Sequence, residues 1–131
     1  MSRVLVIDDE SIVGVILRLA LDAKGHETVV AEDGQTGIEM ARAERPDAIV
    51  LDLMMPFMDG FAVLETLRED ERTAEIPVMV LTAVQSEDVE QRCYGLGAKT
   101  FFRKPFDGDH FVGAVEDLLA GDHPPIGAAT T

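Results

Sequence analysis

The sequence predicts an α/β fold in which a five-stranded parallel sheet is covered by helices on both faces. Apolar runs typical of buried strands recur five times, and segments of helical length separate them. Alternating strands and helices with short connections favour right-handed crossovers and a mostly parallel sheet. We therefore predict a flavodoxin-like doubly wound sheet with the strand order 2-1-3-4-5 and five helices.

The predicted strands are short and lack polar alternation. They cover residues 4–7, 28–31, 48–51, 78–81 and 100–102. Continuous apolar runs of this kind indicate strands that are buried on both faces of the sheet.

Apolar residues at helical spacing predict the five helices. The first helix carries Ile12, Val13, Ile16, Leu17, Leu19 and Ala20, and Gly25 suits a position just beyond its end. The next three carry Ile38, Met40 and Ala41; Phe61, Val63, Leu64 and Leu67; and Val89, Cys93 and Leu96. The last carries Phe111, Val112, Val115, Leu118 and Leu119, with Asp107 as its N-cap. We expect these faces to cover the sheet.

Length and charge limit the classes of function. We assign residues 1–120 to one domain, and residues 121–131, which lose all periodicity, to a flexible tail or the start of a linker. With 25 acidic residues against 11 Lys and Arg, the net charge of -14 disfavours binding to nucleic acid or anionic membranes. A single cysteine, no signal-peptide pattern and no membrane-length apolar run predict a cytoplasmic protein.

Polar residues follow four of the predicted strands. Asp8 and Asp9 follow the first strand, Asp52 the third, Thr82 the fourth and Lys104 the fifth. The first and third strands are neighbours where the strand order reverses, so we expect the three carboxylates to converge there. Two unit charges ~4 Å apart interact by about 4 kcal/mol at an effective dielectric constant near 20, so the carboxylates need neutralising. A raised pKa or a hard divalent cation would do this, and oxygen ligands favour Mg²⁺, with Mn²⁺ as the second choice.

Each of these residues has a simpler explanation when taken alone. Acids at a helix start interact favourably with its dipole, Thr82 is a β-branched strand residue or a cap, and Lys104 is a solvated charge. Together, however, they place an ammonium and a hydroxyl beside a carboxylate. The joint pattern predicts phosphoryl transfer to a carboxylate.

Four segments, VLVIDDE, IVLDLMMPFMDG, VMVLTA and FFRKPF, resemble in order and spacing the motifs of receiver domains of bacterial response regulators. The resemblance covers about residues 3–119. It implies a two-component phosphorelay switch, similar to stand-alone chemotaxis regulators, in which Asp52 accepts a phosphoryl group from a histidine kinase or a histidine phosphotransfer protein. It also implies that Asp9, Asp52 and the backbone carbonyl of Met54 hold Mg²⁺, while Asp8 acts through water.

The same resemblance assigns roles near the fifth strand. Thr82 and Lys104 would contact the phosphoryl oxygens, the Lys104-Pro105 peptide would be cis, and Phe101 would be the switch aromatic, without the hydroxyl of the tyrosine often found there. Phosphorylation would draw Thr82 toward the new oxygens and let Phe101 move inward. The face formed by the fourth helix, the fifth strand and the fifth helix would then change, and a downstream protein partner would bind it.

The domain would transfer the phosphoryl group to itself and later hydrolyse it, which is not the action of a conventional enzyme. We expect a monomer or a weak dimer. Whether the chain is complete or a piece of a longer regulator stays open.

Two other functions stay open. A small aspartyl phosphatase would use the same nucleophile, but Asp52-Leu53-Met54 lacks the second acid of that pattern, and no segment forms a cap over a substrate. A receiver-like docking module would bind its partner without phosphorylation, although the presence of every expected site residue disfavours it.

Overall fold

A parallel five-stranded sheet lies at the centre of the computed structural model, which describes residues 2–55, 58–84, 86–104 and 107–121. The strands are β1 (Arg3–Ile7), β2 (Glu27–Ala31), β3 (Ala48–Asp52), β4 (Val78–Thr82) and β5 (Thr100–Arg103). They pair in the order β2-β1-β3-β4-β5, and every pair is parallel. The predicted fold class and strand order are confirmed, and each predicted strand lies within its observed counterpart.

Helices cover both faces of this sheet. They are α1 (Ser11–Asp22), α2 (Gly34–Glu44), α3 (Gly60–Glu69), α4 (Glu87–Gly95) and α5 (Gly108–Leu119). One hydrophobic cluster joins the sheet to α1 and α5, and a second joins its other face to α2, α3 and α4. Within the described ranges, no helix has both the length and the apolar character that crossing a membrane requires.

Side-chain caps define the start of four helices. The carboxylates of Asp33, Asp59 and Asp107 and the hydroxyl of Ser86 each accept a hydrogen bond from a backbone N–H in the first turn of the helix that follows. Such a cap satisfies an N–H that has no partner within the helix and stabilises it by about 1 kcal/mol. The prediction for Asp107 is confirmed. Glu10, at the same position before α1, makes no such bond.

The outer side of α1 differs from the prediction. Gly14, Leu17 and Leu21 are its buried residues. Ile12, Ile16 and Leu19, which we expected to face the sheet, are 76%, 55% and 64% exposed. The prediction was wrong for these three because α1 is apolar on two sides, so the same 3.6-residue spacing describes its inner and its outer face.

The inner side of α4 is also unexpected. Cys93 is buried as predicted, but its buried neighbours on the helix are Glu90 and Tyr94. The predicted core residues Val89 and Leu96 are only half-buried. Burial raises the pKa of the Cys93 thiol to about 11, so this cysteine is an unreactive core residue. α4 therefore meets the sheet largely through side chains that carry polar groups.

Candidate functional site

The carboxyl ends of β1 and β3 bring acidic side chains together at one edge of the sheet. Asp8 follows β1 directly and is 1% exposed, while Asp52 ends β3 and is 3% exposed. Oxygens from the carboxylates of Asp8, Glu10 and Asp52 lie within 4.8 Å of one another. We call these three residues the acidic group. The predicted convergence of Asp8 and Asp52 is therefore present.

Among the residues that the structure describes, one ammonium faces the acidic group. Lys104 Nζ lies 3.6 Å from Asp8 Oδ2, 3.7 Å from Asp52 Oδ2 and 3.8 Å from Glu10 Oε1. Because Lys104 follows β5, whereas the acids follow β1 and β3, this contact depends on the folded sheet. One cation opposes three carboxylates, so the site keeps an excess of negative charge.

Backbone N–H groups orient two of the carboxylates. Glu10 N donates to Asp8 Oδ1 at 2.9 Å, and Met54 N donates to Asp52 Oδ1 at 3.2 Å. Asp8 Oδ2 is buried and has no hydrogen-bond partner among the described residues. A buried acceptor without a partner is costly, so this oxygen is available for an additional electropositive group.

The environment of Asp52 raises its pKa to about 6. Burial is the largest cause, and the charge of Asp8 adds to it, while Lys104 and the Met54 N–H oppose the shift. At pH 7 the carboxylate is therefore mostly ionised and can act as a nucleophile. It is also held in a site that disfavours its charge.

Thr82 links the site to its surroundings. Its side chain is fully buried, and its Oγ1 accepts a hydrogen bond from Val84 N at 3.1 Å. Its carbonyl oxygen accepts one from Lys104 N at 2.9 Å. Because the hydroxyl acts as an acceptor toward Val84, it keeps its proton for donation to a second group.

The acid that joins the group beside Asp8 is Glu10, not Asp9. Asp9 is half-buried and does not belong to the acidic group, so its role as a metal ligand stays a prediction. In the sequence, Glu10 is one of the acids at a helix start that interact favourably with the helix dipole. Its carboxylate instead lies 3.8 Å from Lys104. The absence of a side-chain cap bond fits this direction, but no signal in the sequence distinguished the two acids.

Other predicted features have mixed outcomes. The ring of Phe101 is fully buried, so the inward movement that we expected of it meets a ring already inside the fold. A phenyl ring has no polar tip to keep at the surface, unlike a tyrosine. The structure describes the N–H of Met54 on Asp52, while the role of its carbonyl stays a prediction. The Lys104-Pro105 peptide and the tail beyond residue 121 lie outside the described residues.

The acidic group fits a hard divalent cation. It supplies only oxygen ligands, carries excess negative charge and includes Asp8 Oδ2, which has no hydrogen-bond partner among the described residues. Mg²⁺ prefers such ligands and usually combines one or two carboxylates with water and phosphate oxygens.

Gly60 holds the start of α3 close to this site. Its N–H donates to the carbonyl of Leu53, the residue after Asp52, at 3.2 Å. A Cβ at position 60 would lie 2.5 Å from that carbonyl oxygen. Only glycine therefore permits this approach.

Comparisons with known proteins agree with this geometry. Residues 4–116 match the family described as the response regulator receiver domain. The chain is 32% identical to protein PilH of Pseudomonas aeruginosa, over 92% of this chain and 100% of PilH. It is 40% identical to the DNA-binding dual master transcriptional regulator RpaA of Synechocystis, over 91% of this chain. The chain spans about half the length of RpaA and of several other curated relatives.

The fold is also similar to that of a solved structure. The chemotaxis protein CheY4 of Vibrio cholerae has a TM-score of 0.86 and 27% identity, over 90% of this chain and 98% of that protein.

Proposed function

We propose a function on the premise that this chain belongs to the response regulator receiver domain family. The chain is a phosphorylation-activated switch of two-component signalling, and Asp52 is its phosphoryl acceptor. The observation that carries this proposal is the buried Asp52 carboxylate, which lies 3.7 Å from Lys104 and belongs to the acidic group.

The acceptor carboxylate is oriented before the reaction. The N–H of Met54 holds Oδ1, and the ammonium of Lys104 lies beside Oδ2. A carboxylate oxygen attacks the phosphorus of a phosphohistidine, the P–N bond breaks, and the bonding electron pair returns to the imidazole nitrogen. Lys104 and the Thr82 hydroxyl then stabilise charge on the phosphoryl oxygens.

Mg²⁺ would be held by the acidic group and, as in the family pattern, by Asp9 and the Met54 carbonyl. It would supply positive charge that offsets the negative charge of the phosphoryl oxygens and of the carboxylates. The residues of the chain do the rest. Burial excludes bulk water from Asp52, and Lys104 approaches from a different strand. Hydrolysis of the acyl phosphate by water returns the Asp52 carboxylate and inorganic phosphate, which resets the switch.

The phosphoryl donor is a histidine kinase or a histidine phosphotransfer protein. Its histidine must reach the acidic group, and α1 begins directly after Glu10. The outer side of α1, formed by Ile12, Val15, Ile16 and Leu19, is exposed and apolar. This surface supports docking of the donor beside the site, because contiguous exposed apolar side chains commonly mark protein contacts.

The output is a change in the face formed by α4, β5 and α5, which an unidentified downstream protein binds. The family match to residues 4–116 supports a receiver domain of residues 1–120 followed by a tail or linker. We propose a cytoplasmic location and a monomer or weak dimer.

Phosphorylation with a small-molecule phosphodonor and Mg²⁺ tests the proposal. Intact-mass and peptide mass spectrometry should locate one added phosphoryl group on Asp52. Asp52→Ala should remove it, while Asp117→Ala, which changes an exposed acid of α5, should retain it. A label elsewhere, or one that persists in Asp52→Ala, would contradict the assignment. A protein that binds its partner equally well without any label would instead be a docking module.

A further inference from the structure

The contact between α4 and the sheet is unusually polar for a buried surface. The buried side chains of α4 are those of Glu90, Cys93 and Tyr94, and its principal neighbour among the strands is β5. The Glu90 side chain is 5% exposed. The aliphatic Val89 is only half-buried. The apolar part of this contact comes from Cys93 and the Tyr94 ring, and Glu90 brings a buried carboxylate into it.

Within the described ranges, one ion pair crosses this contact, and it is long and incompletely hydrogen-bonded. Arg103 Nη2 donates to Glu90 Oε2 at 3.4 Å. Glu90 Oε1, Arg103 Nε and the Tyr94 hydroxyl are buried and have no hydrogen-bond partner among the described residues. A buried ion pair stabilises a fold only when its remaining polar atoms are satisfied. The pair therefore stabilises the docked position of α4 less than a fully hydrogen-bonded pair would.

Arg103 connects this contact to the phosphoryl site. It precedes Lys104 in the chain, and in the sheet it is the register partner of Thr82. Its guanidinium also lies over the ring of Phe101, 5.9 Å from the ring centroid. Arg103 therefore contacts both the ring of Phe101 and the carboxylate of Glu90 on α4.

Thr82 connects the same site to the start of α4. Its hydroxyl accepts from Val84 N, two residues before the N-cap Ser86. A Thr82 side chain that turns toward a phosphoryl oxygen would release this N–H. The segment that leads into α4 then loses one of its fixed points, and the position of α4 depends more strongly on the Glu90–Arg103 pair.

We infer that Glu90 and Arg103 are positioning residues whose ion pair holds α4 against β5, and that loss of this pair transmits phosphorylation of Asp52 to α4. The inference rests on the proposed function and adds the two residues through which the signal passes. When the pair is intact, α4 stays docked. When it separates, α4 moves and its polar inner side becomes hydrated.

Backbone amide NMR with Mg²⁺ and beryllofluoride as the phosphoryl mimic tests this role. In the protein without the mimic, Glu90→Gln and Arg103→Gln should move the α4 amide resonances along the line that the mimic produces in the wild type. Arg103→Lys keeps the positive charge and should stay near the wild-type positions. Arg72→Gln is the matched control, since it removes an exposed arginine that pairs with Asp70. Mass spectrometry of each variant after reaction with a phosphodonor reports separately on Asp52.

The outcomes separate the two proposals. Labelling of Asp52 in all variants, with α4 amides that remain at wild-type positions or move in directions unrelated to the mimic, would overturn the role of the pair and leave the proposed function intact. Failure to label Asp52 in the wild type would remove the proposed function and this inference together. Collinear shifts in both glutamine variants, absent from Arg72→Gln, would establish the pair as the coupling element.

Discussion

The acidic group and the cluster around Asp70 have opposite balances of negative and positive charge. In the first, three carboxylates face the single ammonium of Lys104. In the second, one carboxylate faces two guanidinium groups. Asp70 accepts hydrogen bonds from Arg42 Nε at 2.7 Å, from Arg72 Nη2 at 2.9 Å and from Arg72 N at 2.8 Å.

The two clusters differ in what they require from outside. Hydrogen bonds from Arg72 and Arg42 hold the pKa of Asp70 well below its usual range, so this carboxylate is fully compensated within the protein. Burial and Asp8 raise the pKa of Asp52 to about 6, so this carboxylate is not. The difference teaches that the chain has enough arginine to neutralise an acid when only stability is needed. At the site it leaves negative charge for a cation and an incoming phosphoryl group.

The largest expected effect comes from removing the charge of Lys104, the one cation that lies near the acidic group in the part of the chain that the structure describes. Lys104→Met keeps the approximate volume of the side chain and deletes its charge. We expect the rate of Asp52 phosphorylation to fall by about 10²- to 10³-fold, because a group that offsets charge in the transition state is lost. Lys99→Met, which alters an exposed lysine before β5, is the control. If Lys104→Met were phosphorylated at a rate within a few-fold of the wild-type rate, the expected role of the Lys104 charge would be contradicted.

A stability measurement on Asp52→Asn addresses the comparison directly. The folded-state pKa of Asp52 is raised above its unfolded value, so its favourable contribution is present below about pH 4 and is lost as pH rises through 6. Asp52→Asn should therefore leave stability unchanged near pH 4. At pH 8 without divalent cations it should raise the free energy of unfolding by about 1–2 kcal/mol, a value reduced for partial solvent screening.

Urea denaturation between pH 4 and pH 8 measures this difference, with Asp117→Asn as the exposed control. A variant less stable than wild type at pH 8 would contradict the assignment of Asp52 as a destabilised carboxylate.

The smallest effect, with the opposite sign, is expected at the second cluster. The pKa of Asp70 is lowered in the folded state, so its contribution is present above the unfolded pKa and is lost as pH falls through the folded one. Asp70→Asn should be less stable than wild type at pH 7, and the gap should narrow as the solution is acidified below pH 4. Parallel denaturation curves for the two variants would then diverge in opposite directions as pH rises. A higher free energy of unfolding for Asp70→Asn than for wild type at pH 7 would contradict the difference between the two clusters.

Much of the fold could be predicted because both of its main signals are local. A buried parallel strand is a continuous apolar run, and the order of strands follows from alternation and right-handed crossovers. The same reasoning located Asp8, Asp52, Thr82 and Lys104, because the end of each strand fixes which edge its next residue occupies.

The features that could not be predicted concern the direction in which a side chain points, not the position of its residue along the chain. Spacing identified α1 as a helix but could not tell that Ile12, Ile16 and Leu19 lie outside, because the helix is apolar on both sides. No pattern in the sequence indicates that the Glu10 carboxylate lies beside Lys104, and the role of Asp9 as a metal ligand stays a prediction. The burial of Glu90 follows from Arg103 on another element, and a single helix carries no record of that partner.

Gly60 has a consequence for how this chain tolerates change. Because any side chain there would lie against the carbonyl of Leu53, every substitution that keeps the fold must move the residue that follows Asp52. Across a library of single variants, position 60 should accept only glycine for signalling, although glycine has no side chain that could take part in the reaction. A screen for signalling would score it as severely as the phosphoryl acceptor. Inherited variation in such a domain is thus restricted by the space between two backbone segments as strictly as by the chemistry of its side chains.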